Sequence, residues 1–341
     1  MLSTLTFRAD PPMPLQRRQT LAALALTAAA QPWAWAQTRL RVAGVYTVPV
    51  AQPWVGRIDA ALQAAAARGD IDYTVVDQVP VADYAAALRQ QVAAGMRLIV
   101  GESFGVEAPA RQVAREFPTT VFLMASSGPP QAPNYNVFDN HIHEAAYLSG
   151  MVAGGVSRSG KIGLVAGFPQ REVNRLMNAF MAGVREINPQ ARFMVQFIDT
   201  WFDPARARDA ALAMVDQGAD LLYAERAGVA EAALERRVLA IGNVVDLQAQ
   251  FPDTVVTSAL WNMQPTIDEA IKMVAAGTLF ARDYARFSSL RLKGSSLAPL
   301  GSFEGRVPAA VLDRVKARAA SIVAGAFVVR VDPTTPKSSA T

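Results

Sequence analysis

Gly101-Glu102-Ser103-Phe104-Gly105 matches G-x-S-x-G. The apolar run before it and the helix-length segment after it give the strand–turn–helix setting of a nucleophile elbow. A serine nucleophile needs a histidine base, which in that fold comes late, after the acid. The chain holds two histidines, His141 and His143, both soon after Ser103, and nothing like an HGGG oxyanion segment precedes it. These residues favour a glycine-rich turn that touches a ligand over a hydrolase. No catalytic residue is assigned, and a secreted serine hydrolase using this elbow is the alternative.

Two further stretches promise chemistry and fall short of it. Gly155-Val-Ser-Arg-Ser-Gly160-Lys161 resembles a phosphate-binding loop until Ile162 stands where Ser or Thr should hold magnesium, and it follows a helix and leads into a strand, the reverse of the required order. It reads as a helix C-terminus with glycine. His141-Ile142-His143-Glu144 could offer imidazoles to a metal, but a site needs three or four suitable ligands, and the chain has no other histidine and no cysteine. A helix start with an acid in its first turn explains it better. No metal and no other cofactor is expected.

The aromatic residues point elsewhere. Trp54, Phe104, Trp201, Phe202 and Trp261 all fall in predicted loops at strand ends rather than on apolar helical faces. Aromatics so placed could sandwich a flat conjugated ligand. Polar residues able to read its edges share those loops: Glu102, Ser103, Asn140, Glu225, Asn243 and Asp246. A hydrogen-bonding site discriminates strongly because an unpaired buried group is costly. The candidate binding set is therefore Trp54, Glu102, Ser103, Phe104, Asn140, Trp201, Glu225, Asn243, Asp246 and Trp261.

The elements that must position these residues alternate short β-branched runs with helix-length, alanine-rich segments, the pattern of parallel sheets covered on both faces. LRVAGVY, IDYTVVD, RLIVGESFG and TTVFLMA read as the strands of a first round, complete near Phe138. HEAAYLSGMVAGGVS is a helix rich in small residues, after which KIGLVAG, ARFMVQFID, ADLLYA, RVLAIGN and TVVTSAL form a second round. Pro265 to Ala276 reads as helix, YARFSSLRL as extended, and VPAAVLDRVKARAASIVAG as a last helix. The fold class is α/β: two doubly wound parallel-sheet lobes joined by a hinge of several strands, crossing around Val137 to His141 and Leu260 to Asn262. The expected divisions are 37–140 plus about 261–285 for the N-terminal lobe, 141–260 plus about 286–331 for the C-terminal lobe, and a disordered tail, 332–341, that lacks an apolar face.

Composition bounds the rest. The 341 residues are 51% hydrophobic and 18% charged, enough for two domains. Residues 1–36 read as a secretory signal, with Arg17-Arg18, an apolar run from Leu21 to Ala30 too short to span a bilayer, and cleavage after Ala36. The general secretory route and the twin-arginine route both accommodate the arginine pair. Removing this segment takes away three arginines and Asp10 and leaves a net charge of +2, dispersed along helices, so no nucleic acid is implied. Zero cysteine excludes disulfides, a thiolate site and a lipid-bearing N-terminal cysteine. A monomer free in the periplasm is expected.

From LRVAGVY to SIVAG the chain resembles the basic membrane protein (PnrA-like) substrate-binding proteins of ABC importers. The matching segments are VGESFG with VAREFP, EAAYLSGMVAG followed by SRSGKIG, NAFMAGVREINP, the TWFDP loop, ALAMVDQGAD and IGNVVD. The resemblance implies a type I periplasmic-binding-protein fold, a membrane permease as partner, and a purine nucleoside or free purine as ligand. It also implies aromatic stacking from both lobes, with Phe104 and Trp201 in ligand loops and Asp246 in the G-x-x-x-D segment. Two departures stand out. Val50-Ala51-Gln52-Pro53-Trp54 replaces the family's Asp and Phe-Asn pair, and Ser258-Ala-Leu-Trp261 replaces Ser-x-x-Lys, whose lysine is implicated in holding ribose. The loss of that lysine favours a nucleobase over a nucleoside. A binding protein or sensor for a non-purine small molecule is a further alternative.

Overall fold

The computed structural model describes residues 39–278 and 280–339; the expected signal segment lies outside them. Among the described residues no helix is long and apolar enough to cross a membrane.

The first five strands are β1 (Leu40–Val45), β2 (Ile71–Val76), β3 (Leu98–Glu102), β4 (Val121–Ala125) and β5 (Tyr135–Phe138). They form one parallel sheet in the order β2-β1-β3-β4-β5. Every residue of β3 and β4 is buried, which is why these strands read as unbroken apolar runs rather than alternating ones. The helices α1 (Pro53–Ala67), α2 (Tyr84–Ala93) and α3 (Glu107–Glu116) cover the sheet. Tyr84 and Leu88 of α2 join Ala110 and Val113 of α3 in one buried layer, whereas Val55, Ile58 and Leu62 of α1 belong to the other.

After α4 (His143–Val156) the order repeats. Strands β6 (Lys161–Ala166), β7 (Arg192–Phe197), β8 (Leu221–Ala224), β9 (Leu239–Val244) and β10 (Val255–Trp261) pair in parallel as β7-β6-β8-β9-β10. The three-residue strand β11 (Ser295–Leu297) adds antiparallel to β10. The helices α5 (Arg171–Ile187), α6 (Pro204–Asp216) and α7 (Val229–Arg236) belong to this round. The small residues of α4 have a packing purpose: a Cβ on Gly150 would lie 2.1 Å from the Phe180 carbonyl oxygen of α5, and one on Gly183 of α5 would lie 1.9 Å from the Tyr147 carbonyl oxygen. Glycine at both positions lets the two backbones touch and fixes α5, whose first turns reach the site described below.

The chain crosses between the sheets three times: at Asp139–Ile142, at Asn262–Met263, and on the return through Arg282–Ser288. Hydrogen bonds tie the crossings together. Val137 N donates to Arg282 O and Tyr284 N to Val137 O. Trp261 Nε1 donates to Ser288 Oγ at 3.1 Å, and Ser288 Oγ donates to the Asp139 carbonyl at 2.9 Å. A buried ion pair, Arg175–Asp139 at 2.6 Å, pins α5 to the first crossing. Helix α8 (Gln264–Ala275) returns to pack on α1, and α9 (Ala309–Val323) packs on α4.

The structure differs from the sequence reading in several places: Trp54 lies on α1 and Trp261 on β10 rather than in loops, and β11 is an added short strand. YARFSSLRL is not extended; Ala285–Ser288 is a 3₁₀ turn, because Ser288 must reach back into the crossover network. The fifth strand of the first sheet, Tyr135–Phe138, had no place in that reading. Residues 332–339 lie against α5 and β7 rather than being disordered. Asn178 Nδ2 donates to the Asp332 and Thr334 carbonyls, Asn174 Nδ2 to the Pro333 carbonyl, and Ser339 pairs with Phe193 through the backbone. This segment needs no apolar face, since side-chain amides and the unpaired edge of β7 hold it.

Candidate ligand-binding site

A sheet of order 2-1-3-4-5 opens a crevice where its strand order reverses, at the carboxyl ends of its first and third strands. This chain has two such points, and both line one cavity. From the first sheet come Thr47 and Val48 after β1, and Glu102 and Phe104 at the end of β3. From the second come Trp201 after β7 and Glu225 and Arg226 after β8. Gln52, Trp54 and Val55 at the start of α1, Asn140 in the first crossing, and Glu172, Val173 and Leu176 of α5 complete the wall; the space between them, counting the open solvent at its mouth, is about 600 Å³.

Aromatic rings run in a chain through this wall. Phe104 and Trp201, one from each sheet, have ring centroids 6.3 Å apart. Trp54 meets Phe104 edge-on at 6.0 Å, and Phe168 meets Trp201 edge-on at 4.8 Å. Gly167 gives Trp201 its room, because a Cβ there would lie 3.1 Å from the indole Cε3. Behind Trp54 stand Phe138, its ring nearly parallel at 6.3 Å, and Trp261 at 5.0 Å. Trp261 is fully buried and does not reach the cavity. It packs behind Trp54 instead of facing a ligand.

The polar lining divides into groups already satisfied and groups left free. Glu225 is taken by Arg226, whose Nε and NH2 donate to its two carboxylate oxygens at 2.8 and 2.5 Å, while Arg226 NH1 donates to the Trp201 carbonyl. Burial nonetheless pushes the Glu225 carboxyl upward, with Arg226 opposing. Glu102 Oε1 accepts from the amide and hydroxyl of Thr47, but its Oε2 has no partner. Glu172 Oε2 accepts from Ser127 Oγ at 2.9 Å, and its Oε1 has none. Both side chains are about 95% buried, and burial raises both carboxyls above their ordinary range, with nearby Asp139 adding to the shift at Glu172. The Asn140 amide is best oriented with nitrogen toward Asp139 Oδ1 (3.1 Å), so that its oxygen accepts from Trp54 Nε1 (3.3 Å).

Of the ten expected site residues, the structure brings Trp54, Glu102, Phe104, Asn140, Trp201 and Glu225 to this cavity. Asn243 and Asp246 line an adjoining groove, which shares Gln52, Trp54, Trp201, Glu225 and Arg226 with the cavity and also takes Phe202. There Asn243 Oδ1 accepts from Tyr223 OH, and Asp246 caps the turn at Gln248 N. Ser103 is fully buried and donates to the Ala125 carbonyl at 2.6 Å; it is absent from the cavity wall. The elbow reading is thus left without a nucleophile presented to a substrate. The phosphate-loop resemblance also dissolves: Ser157 Oγ and the amides of Arg158 and Ser159 donate to the chain's own Asp220.

Glu172, Thr47, Gln52 and Arg226 were not among the expected residues. For Glu172 the usable signal is its place in the first turn of the helix after KIGLVAG, at a strand's carboxyl end, where a helix start offers side chains to the crevice. Gln52 is the N-cap of α1, accepting from Val55 N.

The family described as ABC transporter substrate-binding protein PnrA-like matches residues 51–287. The chain belongs to this family. A purine-binding protein of Brucella abortus is 31% identical over 251 residues, covering 72% of this chain and 71% of that protein. A putative ABC transporter glucose-binding protein of Haloferax volcanii is 35% identical over 174 residues, 51% of this chain and 44% of that one. Among solved structures, an ABC transporter solute-binding protein from Conexibacter woesei superposes with a TM-score of 0.69 at 25% identity, covering 85% of this chain and 98% of its own. As a PnrA-like substrate-binding protein, the chain is one that takes a small ligand and works with a membrane permease.

Proposed function

We propose that this PnrA-like protein is exported to the periplasm and captures a flat purine-like heterocycle in the cavity between its sheets, the free nucleobase in preference to the nucleoside. The observation that carries this reading is the meeting of Phe104 and Trp201, one ring from each sheet, in a wall that also holds unpaired buried acceptors. Stacking supplies affinity for a π-face and the acceptors read its edge. At 6.3 Å the two rings are at direct-contact range, so admitting a third ring between them requires the sheets to part. Bending at the three crossings would provide that motion, and the permease would read the closed form.

The preference for the nucleobase rests on charge. The position where the family carries a ribose-holding lysine is here Trp261, buried behind Trp54, and the cation in the wall, Arg226, is occupied by Glu225. A nucleoside is the second reading, because the adjoining groove with Asn243 and Asp246 shares Trp54 and Trp201 with the cavity and could take a sugar. Calorimetric titration of the mature protein with adenine, adenosine, guanine, guanosine and glucose separates these readings. Tighter binding of the bases than of their nucleosides is expected. Binding of glucose with no heat from any purine would sink the purine assignment.

A further inference from the structure

The hydrogen-bonding character of the cavity is lopsided. Its charged side chains are Glu102, Glu172, Glu225 and Arg226, so its ionised wall carries an excess of negative charge. Arg226 spends its guanidinium on both oxygens of Glu225 and on the Trp201 carbonyl. Arg175, one turn beyond Glu172 on α5, donates to Asp139 and is not part of the wall. The fully buried side-chain atoms of the wall left without a partner are both acceptors, Glu102 Oε2 and Glu172 Oε1, each on a side chain about 95% buried, and the amide nitrogen of Gln52, whose oxygen accepts from Val55 N, adds an uncharged donor. A buried carboxylate oxygen without a donor is costly, and a ligand N–H is the group that relieves it, through a hydrogen bond stronger than one between neutral partners.

Resting on the reading of the cavity as a heterocycle site, we propose that its specificity is set by Glu102 and Glu172 acting as a pair of acceptors. They select flat heterocycles that present exocyclic amino or ring N–H donors and turn away anionic heterocycles. An anion brought between these carboxylates would meet like charge with no free cation to offset it, whereas an amino-bearing ring gives each free oxygen a donor. Glu102 comes from the first sheet and Glu172 from the second round of the chain, so a ligand donating to both would also draw the two halves together.

The test is a binding panel on the mature protein: adenine against 6-chloropurine, which has the same ring without the amino group; adenine against urate; and cytosine against orotate, a pyrimidine anion. Adenine is expected to bind at least about tenfold more tightly than 6-chloropurine and urate, the scale of losing one hydrogen bond to a charged group. Glu102→Gln and Glu172→Gln should each narrow the adenine-to-urate gap, with unfolding midpoints and circular dichroism confirming that the variants fold. Urate or 6-chloropurine binding as tightly as adenine overturns the inference while leaving the purine reading in place. No purine binding, with cytosine still favoured over orotate at least tenfold, overturns the purine reading and supports the acceptor pair. Orotate binding as tightly as cytosine overturns the pair whatever the purines do, and silence from every donor-bearing ring overturns both.

Discussion

Two tryptophans illustrate how differently one residue type can be used. Trp201 lines the cavity, held from behind by Phe168 and across its carbonyl by Arg226, and its face is the stacking surface in the proposed function. Trp261 is sealed off and donates its indole N–H to Ser288 within the crossover network. Their truncations should therefore separate affinity from stability. Trp201→Ala is expected to weaken binding of the preferred base by about 1 to 3 kcal/mol with little change in unfolding midpoint, the scale of one base–aromatic stack. Trp261→Phe should leave affinity nearly unchanged and cost about 1 kcal/mol of stability in denaturant titration, from the lost hydrogen bond. A Trp261→Phe protein that is as stable as the parent but binds poorly would contradict the support role.

At the scale of elements, the start of α4 is where a pH dependence of stability is expected. Burial, aided by the positive charge of Arg175, pushes His141 down to about 3 and His143 to about 4. Unfolded imidazoles titrate near 6.5, so the unfolded chain binds these protons first. The stabilisation from holding both rings neutral is complete above pH 6.5 and is lost as pH falls through about 4 for His143 and about 3 for His141. Glu102, Glu144, Glu172 and Glu225, all raised by burial, act in the opposite sense at low pH, so the histidine contribution is best read as a difference. His143→Gln is expected to lose less stability than the parent between pH 7 and pH 5 in parallel denaturant titrations. Equal losses would show that His143 is solvated rather than buried.

At the scale of the whole molecule, the last described residues close an edge. Strand β7 ends the second sheet, and without the tail its amides at Phe193 and Val195 would be open to another strand. Ser339 Oγ and Ser338 Oγ accept from those two amides, and the Asp332, Pro333 and Thr334 carbonyls accept from Asn174 and Asn178 of α5. Because the first turns of α5 also carry Glu172, Val173 and Leu176, the tail braces one wall of the cavity from outside. Truncation after Val331 is expected to lower the melting temperature and to introduce concentration-dependent association, measured by calorimetry and light scattering. A monomer with an unchanged melting temperature would contradict this.

Much was legible in the sequence because parallel sheets announce themselves locally. A strand buried on both faces must be apolar throughout, so KIGLVAG and TTVFLMA name themselves, and the α/β alternation then dictates that ligand residues sit in the loops after strands. That logic singled out Trp54, Glu102, Phe104, Asn140, Trp201 and Glu225, which the structure places around one cavity, and the family resemblance reached the class of protein. What only the tertiary structure decided is which of several chemically equivalent loop residues share a space. Trp261 and Trp54 look alike as sequence, yet the crossover network buries one behind the other. Ser103 looks like a nucleophile until β4 offers it a carbonyl, and Glu172 looks like an ordinary first-turn acid until the close α4–α5 contact fixes its helix beside the cavity. The tail looks disordered because its partners are amides and a strand edge contributed from far away in the chain, and nothing in its own composition records them.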